Sequence, residues 1–140
     1  MSQIQPTVDI QTARLNVDEY KKNFSDMHPP LGTTAALVEA DRCYFCYDAP
    51  CTTSCPTGID VAGFIRMIST ENNIGAARLI LEENILGGSC ARVCPTETLC
   101  EQACVRNDQD HRPVSIGLLQ RHAVDAAIAA DKQFFERAPD

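Results

Sequence analysis

Two short stretches of this chain concentrate the side chains best suited to metal chemistry. Cys43, Cys46, Cys51 and Cys55 read C-x2-C-x4-C-x3-C-P, and Cys90, Cys94, Cys100 and Cys104 read C-x3-C-P-x4-C-x3-C. Thiolate sulfur is a soft donor that suits iron–sulfur clusters and zinc rather than hard cations. A 4Fe-4S cube takes four ligands, one per iron, so eight cysteines match two cubes by count.

Spacing bears on how the donors are shared. Three cysteines of a C-x2-C-x4-C loop can wrap one side of a cube, while the fourth ligand usually comes from far along the chain. In two-cluster bacterial ferredoxins the cysteine before proline ligates the other cluster, and Cys55-Pro56 and Cys94-Pro95 carry that signature. Cys55 is therefore expected to leave its group for a second cluster, and one cysteine of the second group to return. Zinc is the rival, since C-x2-C and C-x3-C pairs can build two all-cysteine tetrahedral sites. Three or four cysteines crowded into one loop fit it less well. A redox dithiol at Cys43-Tyr44-Phe45-Cys46 lacks the βαβ setting such a motif needs.

The rest of the composition narrows the setting. The 140 residues fit one domain with a modest core, sparse in aromatics and without tryptophan. The opening residues have no basic start followed by an apolar run, and no run of about 18 apolar residues occurs, so neither a secretory signal nor a membrane span is expected. The expected location is the cytoplasm, where reduced thiols hold metal rather than form disulfides. Nineteen acidic against twelve basic residues give a net charge of −7, and the basic residues are scattered apart from Lys21-Lys22. That pattern argues against nucleic acid as a partner.

The elements that must position the cysteines read as helices, and the fold class is mainly α. Residues 1–32 are expected to form an extended, irregular arm, because His28-Pro29-Pro30 breaks any helix begun at Val17. A short helix over 35–40, capped by Thr33 or Thr34, delivers Cys43, and the first cysteine group follows as loop. Asp60 caps a helix over 61–69, where Val61, Phe64, Ile65 and Ile68 recur at helical spacing. A second helix starts at Asn72 or Asn73 and runs until Gly87-Gly88 ends it. A third, Leu99 to Val105, puts Cys100 and Cys104 one turn apart on one face. A long helix runs from Ile116, capped by Ser115, to about Phe135.

At Cys43-Tyr44-Phe45-Cys46-Tyr47-Asp48-Ala49-Pro50-Cys51 and Ser54-Cys55-Pro56-Thr57-Gly58-Ile59-Asp60 the chain resembles the N-terminal iron–sulfur domain of dihydropyrimidine dehydrogenases. The resemblance continues through Asn84 to Gly88, Cys90-Ala91-Arg92-Val93-Cys94-Pro95-Thr96-Glu97, Leu99-Cys100, Cys104 and Val114-Ser115-Ile116-Gly117-Leu118-Leu119-Gln120. It implies a helical domain of the alpha-helical ferredoxin type over 33–137, with 138–140 starting a linker. It also implies two 4Fe-4S clusters relaying electrons to or from FAD in an NAD(P)-dependent oxidoreductase. This segment itself would conduct electrons without catalysing bond chemistry. The flavin and nicotinamide sites would lie in a downstream domain or a partner subunit, since no G-x-G-x-x-G occurs here. A second, FMN and iron–sulfur catalytic subunit or domain is a further implied partner. The small subunit of glutamate synthase resembles the same module, but Asp48-Ala49-Pro50 and Cys94-Pro95-Thr96-Glu97 favour the pyrimidine enzymes. A zinc-stabilised interaction module is the alternative of a different class.

By the same resemblance Cys43, Cys46, Cys51 and Cys104 hold one cluster, and Cys55, Cys94, Cys100 and Gln120 the other, leaving Cys90 a bystander. Gln120 shares a helix face with Ile116, Ala123, Val124 and Ala127. Periodicity alone reads it as an amide bonded to a backbone carbonyl, and the resemblance reads it as a ligand. His28, His111 and His122 stand alone, without a second ligand at useful spacing. Arg66, Arg92, Arg106 and Arg121 read as salt-bridged surface residues, with donation to cluster sulfurs as the alternative.

Overall fold

A computed structural model describes residues 15–136, all helix, turn and loop with no strand among them. In chain order the helices are α1 (Val17–Asn23), α2 (Thr33–Ala40), α3 (Pro50–Thr53), α4 (Val61–Ser69), α5 (Asn73–Glu83), α6 (Gly87–Val93), α7 (Arg106–Asp110) and α8 (Ile116–Ala129), with a 3-10 turn at Thr96–Thr98. Residues 1–14 of the expected arm and the expected linker at 138–140 lie outside the described range.

The core is the meeting of α4, α5 and α8, with α2 and α6 packed onto them. Helix α4 forms where its apolar spacing demands, and the Asp60 carboxylate accepts the Gly63 N–H at 2.9 Å. It buries Phe64, Ile65 and Ile68 against Ala76, Ala77 and Ile80 of α5 and Leu119, Ala123 and Ala127 of α8. Alanines on two of the three faces let the helix axes approach closely. Each large side chain sealed here stabilises the fold by about 2 kcal/mol. Met67 packs against this core.

Several boundaries depart from the sequence expectation. Part of the arm is helical: Asn16 and Glu19 form a reciprocal capping box that starts α1, and its acidic first turn and basic last turn suit the helix dipole. Pro50 at the first helical position opens α3 inside what was expected to be loop. Helix α5 stops at Glu83, because Asn84 turns extended and its side chain accepts the Leu86 N–H at 2.9 Å.

Gly87-Gly88 begins α6 rather than ending α5. A β-carbon on Gly87 would lie 2.5 Å from Ile80 Cγ2, so this glycine serves close packing. The helix expected over Leu99–Val105 is absent. Leu99 sits at φ −121, ψ −110, far from helical values, and Asn107 Nδ2 donates to the Glu101 and Gln102 carbonyls at 2.8 and 2.9 Å. Helix starts only at Arg106. Helix α8 ends at Ala129, six residues short of the expected Phe135. Asp131 turns left-handed at φ 48, Lys132 N–H closes on the Ala127 carbonyl, and Phe134 folds back against the core.

Candidate metal centre

The cysteines sit at helix ends and in turns around the core. Cys43 and Cys46 flank the loop after α2, Cys51 lies in α3, and Cys55 begins the turn after it. Cys90 lies in α6, Cys94 caps its C-terminus, Cys100 is in the turns beyond, and Cys104 precedes α7. All eight thiols are free.

The backbone brings Cys104 of the second sequence group to three cysteines of the first. A hollow of about 320 Å3, counting its open mouth, is lined by Cys43, Cys46, Cys51 and Cys104, with Ala49, Pro50, Ala62 and Val114 as its apolar wall. Burial raises the Cys43 thiol, and repulsion from Cys104 and Cys46 adds to it. Burial pushes Cys51 up to about 11, again with Cys43 and Cys104 as the repelling thiols. On the other side, burial raises Cys94 and pushes Cys100 up to about 12; Cys90 and then Cys55 repel Cys94, and Cys55 also repels Cys100. Cys100 also feels Cys94, and Glu101 stands beside both. Cys104 lines the hollow and Cys100 does not.

Cys55 differs from the rest. Burial works to raise it, but the Thr57 hydroxyl at 3.4 Å and the N–H groups of Ile59, Thr57 and Gly58 outweigh that and lower it. The turn depends on Gly58, left-handed at φ 73, a conformation that suits glycine. Its N–H groups form a small concavity suited to a thiolate.

Gln120 is 8% exposed on the core face of α8, and its Nε2 donates to the Gly87 carbonyl at 2.7 Å. A carbonyl can only accept, so the amide nitrogen is fixed toward α6 and the oxygen is turned away from it. No described residue donates to that oxygen. The backbone-bonded amide and the free ligand oxygen, set against each other by the sequence, are thus compatible. Cys90 accepts from Asn84 Nδ2 at 3.0 Å and neighbours Cys94.

Arginines bracket the first set. Arg66 lies over the Phe45 ring at 4.9 Å and Arg106 over Tyr44 at 4.3 Å, and Arg106 Nε also donates to the Arg42 carbonyl. Arg92 and Arg121 are tied to Asp125 and belong to the α6–α8 contact. Of the histidines, His122 Nδ1 meets the Leu31 carbonyl at 3.2 Å. Glu39 lies outside both cysteine motifs. It is buried, and its Oε1 accepts from Arg42 Nη1 at 2.7 Å and from the Ser115 N–H at 2.9 Å, joining the first cysteine loop to the start of α8. Its only sequence signal was a charge four residues before Cys43 on a short helix.

Residues 20–132 match a family model described as dihydropyrimidine dehydrogenase domain II, 4Fe-4S cluster. The chain belongs to that family. As a dihydropyrimidine dehydrogenase domain II it is a 4Fe-4S cluster-binding domain of mainly helical fold. It is 46% identical over 106 residues to the NAD-dependent dihydropyrimidine dehydrogenase subunit PreT of Escherichia coli (strain K12), covering 75% of this chain and 26% of that protein. It is 45% identical over 117 residues to the PreT subunit of Salmonella typhimurium, covering 83% of this chain and 28% of that one. The chain thus spans about a quarter of the length of these relatives.

The donor sets of this domain II member fit an iron–sulfur cluster. One zinc ion would need sulfurs about 3.8 Å apart, each 2.3 Å from the metal. Among the described residues no three His, Cys, Asp or Glu side chains converge as a single ion requires. Thiols spread around a hollow instead suit a cluster whose irons each take one sulfur. The raised thiols keep their protons at neutral pH, so iron must displace protons to bind. No helix among the described residues is long and apolar enough to cross a membrane.

Proposed function

We propose that residues 33–137 form a two-cluster electron relay, with Cys43, Cys46, Cys51 and Cys104 holding one 4Fe-4S cluster and Cys55, Cys94, Cys100 and Gln120 the other. The observation that carries this reading is the gathering of Cys104 with three cysteines of the first group around one hollow. Cys55 is the complementary exchange, since it is felt by Cys94 and Cys100. Bound there, the clusters would supply one-electron carriers. The chain's own task is to hold the thiols, exclude water with the wall of Ala49, Pro50, Ala62 and Val114, and set the local charge. Arg66 and Arg106 bring positive charge to the first set, and Glu97 and Glu101 negative charge to the second.

In this reading the relay serves an NAD(P)-dependent dihydropyrimidine dehydrogenase in the cytoplasm. FAD and NAD(P) would lie in a flavin domain of the same chain or a partner subunit, with an FMN and iron–sulfur catalytic subunit as a further partner. The named subunits of the relatives support it. Anaerobic purification tests it: about eight iron and eight sulfide per chain, reducible in two one-electron steps, are expected. Two zinc ions without acid-labile sulfide would overturn it. Reduction of uracil by NADH or NADPH in the assembled enzyme tests the substrate.

A further inference from the structure

The arm ahead of α2 is tied to α8 at the two positions that follow Gln120. Arg121, only 8% exposed, donates from Nη2 to Asp26 at 2.9 Å, from Nη1 to the His28 carbonyl at 3.0 Å and from Nε to Asp125 at 3.2 Å. Next to it, His122 meets the Leu31 carbonyl. Asp125 in turn accepts Arg92 Nη2 at 2.7 and 2.9 Å, and Arg92 Nη1 donates to the Gly88 carbonyl at 2.8 Å. Gly88 adjoins Gly87, whose carbonyl holds Gln120. The contacts close a ring from Gln120 through Gly87, Gly88, Arg92, Asp125 and Arg121 back to Gln120. Asp26, Met27 and His28 also line one open groove with Ala91 to Glu97, so the arm lies alongside the segment carrying Cys94.

We propose that the arm is a clasp for the second donor set, with Asp26 and Arg121 as positioning residues that fix α6 against α8 and thereby hold Cys94 and Gln120 in place. The assignment of that set to a cluster rests on the function proposed above. The mechanical claim rests on the ring of contacts between α6 and α8 and on the bonds from Arg121 that join Asp26 and His28 of the arm to it. Arg121 is nearly buried, so removing Asp26 leaves Asp125 as its remaining carboxylate partner and lets the freed end of the guanidinium seek water. Among the described residues the first set has no such link to the arm: its loop is held by Glu39, Arg42 and Arg106.

The test uses the anaerobically reconstituted chain and its Asp26→Ala and Arg121→Lys variants, following amide hydrogen exchange and the electron paramagnetic resonance of each cluster. In both variants the amides of Gly87–Val93 should exchange up to about fivefold faster. One cluster signal should broaden and decay sooner in air while the other is unchanged. Unaltered exchange in α6 would overturn the clasp, and so would equal loss of both signals with Arg121→Lys, because the contact would then serve the whole fold. A wild-type chain holding fewer than two clusters would instead sink the two-cluster reading, with the α6 exchange still deciding the clasp.

Discussion

The Gln120 amide is held by the Gly87 carbonyl, 33 residues earlier in the chain, at 2.7 Å and in a buried setting. One hydrogen bond thus fixes a polar side chain on the apolar face of α8 and aligns it. Gln120→Ala removes both the proposed ligand and the partner of a buried carbonyl. The expected cost is about 1–3 kcal/mol of stability, with iron falling from about eight to about four per chain. Chemical denaturation and metal analysis read the two effects separately. Retention of all the iron would show that Gln120 only ties α8 to α6.

Serine substitutions test the crossing of the cysteine groups. Cys104→Ser and Cys46→Ser should abolish the same paramagnetic signal, and Cys55→Ser and Cys100→Ser the other. Cys90→Ser should keep both, since that thiol has a hydrogen bond from Asn84 and stands outside either proposed quartet. If Cys104→Ser and Cys100→Ser abolish one common signal, the partition is wrong.

Parts of this architecture could be read from the chain alone, for local reasons. Helix α4 combines a capping aspartate with apolar residues at helical spacing, and the short stretch from Asp60 to Ile68 holds the whole signal. Gly87-Gly88 misled because a glycine that stops a helix and one that admits Ile80 look alike in sequence. Cys100 and Cys104 have helical spacing, but their backbone is bent by Asn107, whose bonds to Glu101 and Gln102 leave no periodic trace. The proposed ligand sets came from resemblance and from the two cysteine–proline pairs, and periodicity alone left Gln120 undecided. The contact of Asp26 with Arg121 spans 95 residues, and no local pattern announces it.

Glu39 offers a test of how the first loop is held. Its carboxylate is sealed with Arg42, which also donates to the Pro113 and Arg112 carbonyls at 3.1 and 2.6 Å. Glu39→Ala would take the nearer carboxylate from a mostly buried guanidinium, leaving it the two carbonyls and Asp110 at 3.6 Å, and would leave the Ser115 N–H without its acceptor. Removing one partner of a buried pair costs about 3 kcal/mol. The denaturation midpoint should fall accordingly, and Glu39→Gln, which keeps an acceptor, should lose less. Equal losses would mean that shape rather than hydrogen bonding decides the site.

The clasp has an acid limit. The hydrogen bond from Arg121 holds the Asp26 carboxyl below its ordinary 3.8; burial opposes it, and the charges of Arg121 and Arg92 add to the lowering. A carboxyl whose folded value is depressed contributes stability that is present above 3.8 and lost as pH falls through the folded value. The carboxyl resonance of Asp26 should therefore titrate below 3.8 and return to about 3.8 in Arg121→Gln. A midpoint that Arg121→Gln leaves in place would mean that another group sets the Asp26 charge.

Iron removal should loosen the cysteine segments without unfolding the core. Helices α4, α5 and α8 bury Phe64, Ile65, Ile68, Ile80 and Leu119 among themselves, and none of these contacts needs a metal. The loop from Cys43 to Ala49 and the turns from Cys94 to Val105 bury only Ala49 and Cys100 fully, with Cys43, Phe45 and Cys104 half-buried against the core, and they carry the thiols whose ligation would cross-link them. After chelation under reducing conditions, amide protection should fall at 43–58 and 94–105 while that of α4, α5 and α8 persists. Circular dichroism should keep most of its helical signal. Collapse of protection throughout the chain would mean that the apolar core is too small to stand alone, and that cluster binding and folding are one event.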